Sequence, residues 1–235
     1  MVSIKELHKK FGSQVVLDGL NLEIQEQGII AVLGPNGSGK TTLIKSILGM
    51  VVPEKGEIQI NNKSVLKRWE YRQELDYLPQ IANFPGNLKV QELITMIKDL
   101  RAKPARDQQL IDFFGLHPYL EKKLNKLSGG TRQKVNLLLC FMFDSPLIIL
   151  DEPTSGLDPV SMLRLRELIR NEKEKGKTIL ITSHIMSFVE EMADRIVFLL
   201  DGKIYFDGDV CQLKSSTGQA DFEHAIAHLL SKDHD

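Results

Sequence analysis

The most constraining stretch of the chain is Gly34, Pro35, Asn36, Gly37, Ser38, Gly39, Lys40, Thr41 and Thr42, which follows the apolar run Ile29-Ile-Ala-Val-Leu33 and precedes a helical pattern over residues 40–48. A five-residue apolar run ending in a glycine-rich turn reads as a strand buried on both faces. The order strand, loop, helix is that of a phosphate-binding unit. The spacing GxxxxGK[ST] has a physical reason at each position. Glycines let backbone N–H groups turn inward as a nest for an anion, and the helix N-terminus adds partial positive charge. Lys40 can reach β- and γ-phosphates, and the Thr41 hydroxyl suits Mg²⁺. At average composition the pattern arises by chance in about one chain in a hundred of this length, so a surface glycine turn explains it poorly. Taken alone, it is shared by kinases, GTPases, transporter subunits and repair ATPases.

Composition narrows the setting. Lys and Arg total 30 against 31 Asp and Glu among 235 residues, a net charge of −1, so no single-sign field of the kind a general nucleic-acid coat needs is expected. With 42% hydrophobic residues the chain can bury a continuous core. Cys140 and Cys211 stand alone without CxxC spacing, which fits a reducing compartment, and both read as small buried hydrophobes. The longest strongly apolar run, Leu137 to Phe143, is too short to cross a bilayer. A cytoplasmic protein is expected, any membrane role coming through a partner.

The order of elements predicts an α/β fold with a mostly parallel core sheet. Early strand-like segments lie at 3–7, 15–17 and 21–24, the last alternating like a half-exposed antiparallel strand. Later apolar runs at 147–150, 179–181 and 196–200 alternate with helical segments such as 159–175, as βαβ crossovers do. Between about Pro85 and Lys126 the pattern is helical, with Leu93, Ile97 and Leu100 on one predicted face, then Leu110, Phe113 and Phe114. Asp201-Gly202 between apolar runs predicts a hairpin. Residues 222–230 predict a short amphipathic helix.

A second chemical signal is Leu147-Ile-Ile-Leu-Asp151-Glu152-Pro153, a buried strand ending in two adjacent carboxylates. A strand-terminal Asp in a phosphate-binding fold holds Mg²⁺, which suits Asp151; Glu152, next in line, is placed to polarise an attacking water. A third is Leu127-Ser128-Gly129-Gly130-Thr131-Arg132-Gln133. Ser128 suits a helix N-cap, and the two glycines allow a phosphate close to the exposed N–H groups.

These three motifs, with Gln80 in Tyr77-Leu-Pro-Gln80, Ser155-Gly-Leu-Asp158 and Thr182-Ser-His184, occur in the order found in ATP-binding cassette (ABC) ATPases and cover nearly the whole chain. The sequence resembles the ATP-binding subunit of ABC transporters. The resemblance implies a P-loop NTPase with an N-terminal antiparallel β subdomain and an α-helical insertion. It implies one domain over 1–235, with 1–80 and 128–235 as the ATP-binding core and 81–127 as the helical subdomain. It places Phe11 against adenine and Val16 beside the base, a core phenylalanine being the competing reading of Phe11. It makes Gln80 a contact of Mg²⁺ or the attacking water, and His184 a γ-phosphate contact. Ser128, Gly129 and Gly130 would bind ATP held by a second copy of the chain, with Asp158 in the loop facing that copy. Thr131 departs from the Gln often found there, and Lys134 from Arg. The other five histidines, among them His224, His228 and His234, are read as unremarkable.

The implied function is an ATP-hydrolysing subunit using ATP and Mg²⁺. It would dimerise on ATP and drive a separate multi-span permease, an exporter, from the inner face of the cell membrane. Trp69 and Asn83-Phe84-Pro85 are candidate docking residues. Within the family, residues 126–136 and 182–189 are similar to ATPase subunits serving nitrous oxide reductase maturation, described as copper exporters, although nothing here forms a copper site. The alternative is a soluble ABC ATPase acting on ribosomes or DNA; a single cassette, no heptad tract and no basic surface argue against it.

Overall fold

A computed structural model describes residues 1–25, 27–66 and 68–231; His234 lies outside the described residues. In chain order the elements are β1 (Val2–Phe11), β2 (Gln14–Ile24), β3 (Gly28–Leu33), α1 (Lys40–Ile47), β4 (Lys55–Ile60), β5 (Lys63–Ser64) and β6 (Leu75–Leu78). Then follow α2 (Val90–Arg101), α3 (Asp107–Phe114), α4 (Gly129–Phe141), β7 (Leu147–Asp151), α5 (Pro159–Glu174) and β8 (Thr178–Thr182). The chain ends with α6 (Met186–Met192), β9 (Arg195–Leu200), β10 (Lys203–Gly208), α7 (Val210–Thr217) and α8 (Phe222–Ser231). They form two compact units: Met1–Arg72 with Thr178 onward, and Gln73–Lys177.

The first unit holds an antiparallel sheet in the order β2-β1-β4-β5. Residues 15–17 and 21–24, expected as separate strands, belong to one strand. Asp18 and Gly19 interrupt the apolar alternation, but β1 keeps pairing across them, from Lys9↔Leu17 to Leu7↔Leu20, with register shifts absorbing the mismatch. In the same unit β3 pairs in parallel with β8, Gly28↔Thr178 to Ala31↔Ile181, and with β9, Ile30↔Arg195 to Leu33↔Phe198. Every residue of β3 and β8 is buried, as a central parallel strand requires. One core joins Leu33, Ile196 and Phe198 of the strands to Val189, Leu213, Phe222 and Ile226 of α6 to α8. β9 and β10 form the expected hairpin, with φ 44° at Asp201 and 75° at Gly202, both positive as a tight primed turn demands. Cys211 differs from expectation. It is exposed because α7 buries Leu213 and Thr217, and residue 211 lies off that face; Cys140 is buried.

The second unit pairs β6 with β7 in parallel, Leu75↔Leu147 to Leu78↔Leu150, and packs α4 on β6, α2 and α3 on α4, and α3 on α5. α2 exists as expected but is rotated. It buries Val90, Leu93 and Ile94, whereas Leu100 is 74% exposed. Arg101 takes the inward position at that turn: it donates to the Asp76 carboxylate at 2.7 Å, the Ser145 hydroxyl at 3.2 Å and the Leu75 carbonyl at 3.2 Å. Burial pushes the Asp76 carboxyl above its usual range and Arg101 pulls it back in part. Among the described residues no helix is long and apolar enough to cross a membrane.

Glu172, fully buried on α5, gathers three cations: Lys177 at 2.5 Å, Arg106 at 2.7 Å and Lys175 at 2.8 Å. Burial alone would raise its pKa, but hydrogen bonds from Lys175, Lys177 and Arg106 overcome this and hold the carboxylate below the ordinary glutamate range. A depressed folded pKa contributes stability that is present above the unfolded value and lost as pH falls through the folded one. Glu172→Gln should therefore be less stable than the parent by about 3 kcal/mol at neutral pH. In urea denaturation that gap should narrow as the pH is taken below the ordinary glutamate range.

Candidate nucleotide site

The loop after β3 is shaped by missing side chains. A Cβ on Gly34, at φ +144°, would stand 2.0 Å from the Leu199 carbonyl oxygen and 2.7 Å from Ser38 Oγ. Gly37, at φ +85°, has open space around it and is required only by its backbone angle. Gly39, at φ 104°, is the N-cap of α1. Lys40 folds over the loop, its Nζ donating to the carbonyls of Gly34 at 2.7 Å and Pro35 at 2.9 Å. That places an ammonium beside the turn whose N–H groups would cradle an anion. Ser38 is buried, Thr42 half-buried, and Thr41 and Asn36 exposed. Behind the loop, α1 buries Leu43, Ile44 and Ile47. Its C-terminal end is held by Arg72, which donates to the carbonyls of Leu48 at 3.1 Å and Gly49 at 3.2 Å, a cation at the negative end of a helix.

In the same unit, Phe11 is 52% exposed at the end of β1, with the Lys9 ammonium 5.0 Å from its ring centroid. It is not a core phenylalanine, and its ring is open to stacking. Val16, half-buried in β2, brings its carbonyl within 2.8 Å of where a Cβ on Gly39 would stand. His184 is exposed in the turn after β8, where Ser183 Oγ accepts from the Ile185 N–H at 3.1 Å. Because β3 and β8 run parallel in register, residues 34–39 and 183–185 leave the sheet at the same carboxyl edge, where nucleotides bind to such sheets.

The second unit repeats the logic with carboxylates. β6 and β7 run parallel, so Gln80, exposed two residues past β6, and Asp151, the last residue of β7, lie at one edge. Asp151 is 4% exposed and Glu152 is 7% exposed. Glu152 has φ 52° although it precedes proline, which narrows the backbone of the residue before it. A non-glycine residue in this region costs about 1–2 kcal/mol, strain that proteins retain mainly where the site uses it. Burial, then the Asp151 charge, pushes the nearby Tyr77 hydroxyl up to about 12, so it stays protonated at neutral pH.

The motif at residue 127 opens α4. Ser128 is exposed and caps the helix, its Oγ accepting from the Thr131 N–H at 3.3 Å and sharing a 2.9 Å hydrogen bond with Thr131 Oγ1. Thr131, where a longer glutamine is common, thus folds back to complete the cap. Gly129 is exposed and Gly130 half-buried. Asp158 caps α5, accepting from the Ser161 N–H at 2.8 Å and the Ser161 hydroxyl at 2.7 Å, and pairs with Lys134 at 2.8 Å. Lys134, then the two Ser161 hydrogen bonds, hold its carboxyl well below the usual range. Lys134 therefore has a partner within its own chain. Trp69, 62% exposed, belongs to the first unit; Phe84, half-buried, lines a groove of about 110 Å³ in the second with Gly86, Leu124, Asn125 and Arg132.

Gln133 and Asn136 are what sequence reading missed. Both are buried on α4, and the Gln133 amide donates to the Pro153 carbonyl at 3.1 Å. The available signal was two amide residues three apart inside an apolar helix, a spacing that puts both on one face.

A parallel strand entering a GxxxxGK[ST] nest with a helix behind it, and a second parallel strand ending in Asp-Glu, define a P-loop nucleoside triphosphatase. A family model described as ABC transporter matches residues 17–155. The chain is 33% identical over 224 residues to YhaQ, an ABC transporter ATP-binding protein of Bacillus subtilis strain 168, covering 93% of this chain and 74% of that protein. It is 32% identical over 213 residues to the Nod factor export ATP-binding protein I of Burkholderia lata, covering 88% and 70%. Among solved structures it is similar to the ATP-binding subunit of an ABC transporter, with a TM-score of 0.91 and 28% identity, covering 98% of this chain and 99% of the other. It is also similar to a dimeric ATP-binding cassette in a post-hydrolysis state bound to ADP and Pi, with a TM-score of 0.78 and 25% identity, covering 89% and 98%. The chain belongs to the ABC transporter family, as an ATP-binding subunit that hydrolyses ATP.

The glycine geometry separates two otherwise similar substitutions. Gly34→Ala should lose measurable binding of a fluorescent ATP analogue, because its Cβ meets backbone at 2.0 Å. Gly37→Ala meets no protein atom within 4 Å and should cost only about 1 kcal/mol in thermal unfolding of the nucleotide-free protein, the strain of its backbone angle alone.

Proposed function

We propose that residues 34–42 hold the ATP triphosphate, with Lys40 on the β- and γ-phosphates and Phe11 and Val16 against the adenine. Glu152 takes a proton from the attacking water, and His184 and Gln80 hold the γ-phosphate and that water in line. The observation that supports this most is Glu152 itself: a buried carboxylate kept in a left-handed backbone conformation immediately after the strand-ending Asp151. A solvated strand end would relax.

The donors present suit Mg²⁺. Thr41, Gln80 and Asp151 offer hard oxygens, and no three His, Cys, Asp or Glu among the described residues gather into a cage of their own. The nucleotide's phosphates would complete the shell, as is usual for this ion. Thr41, Asp151 and Gln80 would hold it, and when bound it neutralises charge developing on the phosphates.

Ser128, Gly129 and Gly130 at the start of α4, the first two exposed, would take the γ-phosphate of ATP held by a second copy, so that ATP closes a dimer and hydrolysis reopens it. The region from Gln80 to Lys126, with the exposed Leu100 and Met96 of α2 and the loop at Phe84, is the part through which a separate membrane permease would be driven. The relative named for Nod factor export supports export as the direction. The subunit would then lie at the inner face of the cell membrane. Cargo choice would rest with the permease.

Glu152→Gln should lower ATP hydrolysis by about 10² to 10⁴ while leaving ATP binding intact, and Lys40→Ala should weaken binding itself. Phosphate release and titration with a fluorescent ATP analogue separate the two. A Glu152→Gln protein that hydrolyses ATP at the parent rate would overturn the assignment.

A further inference from the structure

We infer that Gln133 is a positioning residue for hydrolysis, holding the turn that presents Glu152. The inference rests on Glu152 being the group that polarises water.

Glu152 sits at φ 52° directly before Pro153. Such a conformation persists only where neighbouring groups over-determine it. Pro153 has no N–H, so its carbonyl is the one backbone group by which a hydrogen bond can fix that residue. The Gln133 amide donates to that carbonyl at 3.1 Å. Gln133 is itself held: its Oε1 accepts from the Asn136 amide at 3.3 Å, and the two residues are 8% and 7% exposed. A buried amide with both ends engaged is a stiff strut rather than a loose surface contact.

The same face of α4 touches the turn a second time. A Cβ on Gly130, one helical turn before Gln133, would stand 2.9 Å from the Gly156 carbonyl oxygen. Within the turn, the Ser155 N–H donates to the Glu152 carbonyl at 3.3 Å. Residues 152–156 are therefore folded on themselves, tied to α4 by the Gln133 hydrogen bond and lying close against Gly130, which follows the exposed Ser128 and Gly129.

The test is Gln133→Met, which keeps the volume and removes both hydrogen bonds. The kcat for ATP should fall by about ten- to a hundredfold, the scale of a small misplacement of a reacting group, with KM within about twofold. In the Glu152→Gln background the same change should add no further loss, because the group it positions is gone. A rise in KM at unchanged kcat, or losses that multiply in the double variant, would overturn the inference. If Gln133→Met does not fold, Gln133→Glu serves. It keeps the acceptor for Asn136 and can donate to Pro153 only when protonated, so its kcat relative to the parent should recover as pH falls. A ratio that does not change with pH would overturn it. Failure of the underlying reading is recognised separately, by Glu152→Gln alone keeping the parent rate.

Discussion

Much of the first unit follows from the absence of one side chain. The carbonyl of Leu199 lies 2.0 Å from the position a Gly34 Cβ would occupy, so β9 and the phosphate loop are pressed together more closely than any other residue allows. That contact lets the loop turn back at once after β3 and deliver Gly39 as the cap of α1, with Lys40 folded over it. Parallel pairing of β3 with β8 then brings the turn of His184 to the same edge. The phosphate chemistry is thus a consequence of backbone packing before any charged group is considered.

The second unit solves a different problem, how to keep two carboxylates buried and usable. Asp151 ends a fully buried strand, and Glu152 is turned out of the ordinary backbone regions directly before Pro153, whose carbonyl accepts from the Gln133 amide. Elsewhere in the unit the charged groups are paired for stability: Glu172 among three cations, and Asp76 with Arg101. The contrast is informative. Glu172 is stabilised by its neighbours in its ionised form, while Glu152 is constrained through its backbone.

Legibility followed the range of the signal. β3, α1, β7, α5, β8 and β9 were readable because each is a continuous apolar run or a strong helical period with a cap or glycine at its end. β5 and β6 gave too few residues to count a period, and β4 carries only Ile58 and Ile60 as apolar residues. The face of α2 was misread because Arg101 and Asp76, far apart in sequence, settle which side of the helix turns inward. Cys211 was misplaced for the same kind of reason, since burial on α7 is decided by where Leu213 and Thr217 find a core. Asp158 and Lys134 stood in the sequence as separate remarks, and the fold makes them one ion pair.

By itself the sequence determined the chemistry: which residues can cradle a phosphate, which carboxylates end a buried strand, and which serine starts a helix. Each depends on neighbours within a few positions, because loops, caps and strand ends are local. Only the tertiary structure decided how those groups are held. The Leu199 carbonyl against Gly34, the left-handed Glu152, and the Gln133 amide on Pro153 are contacts between segments that no spacing rule connects. Close packing and hydrogen-bond satisfaction act across the whole fold, so the strain at Glu152 is visible only where the parts that hold it meet.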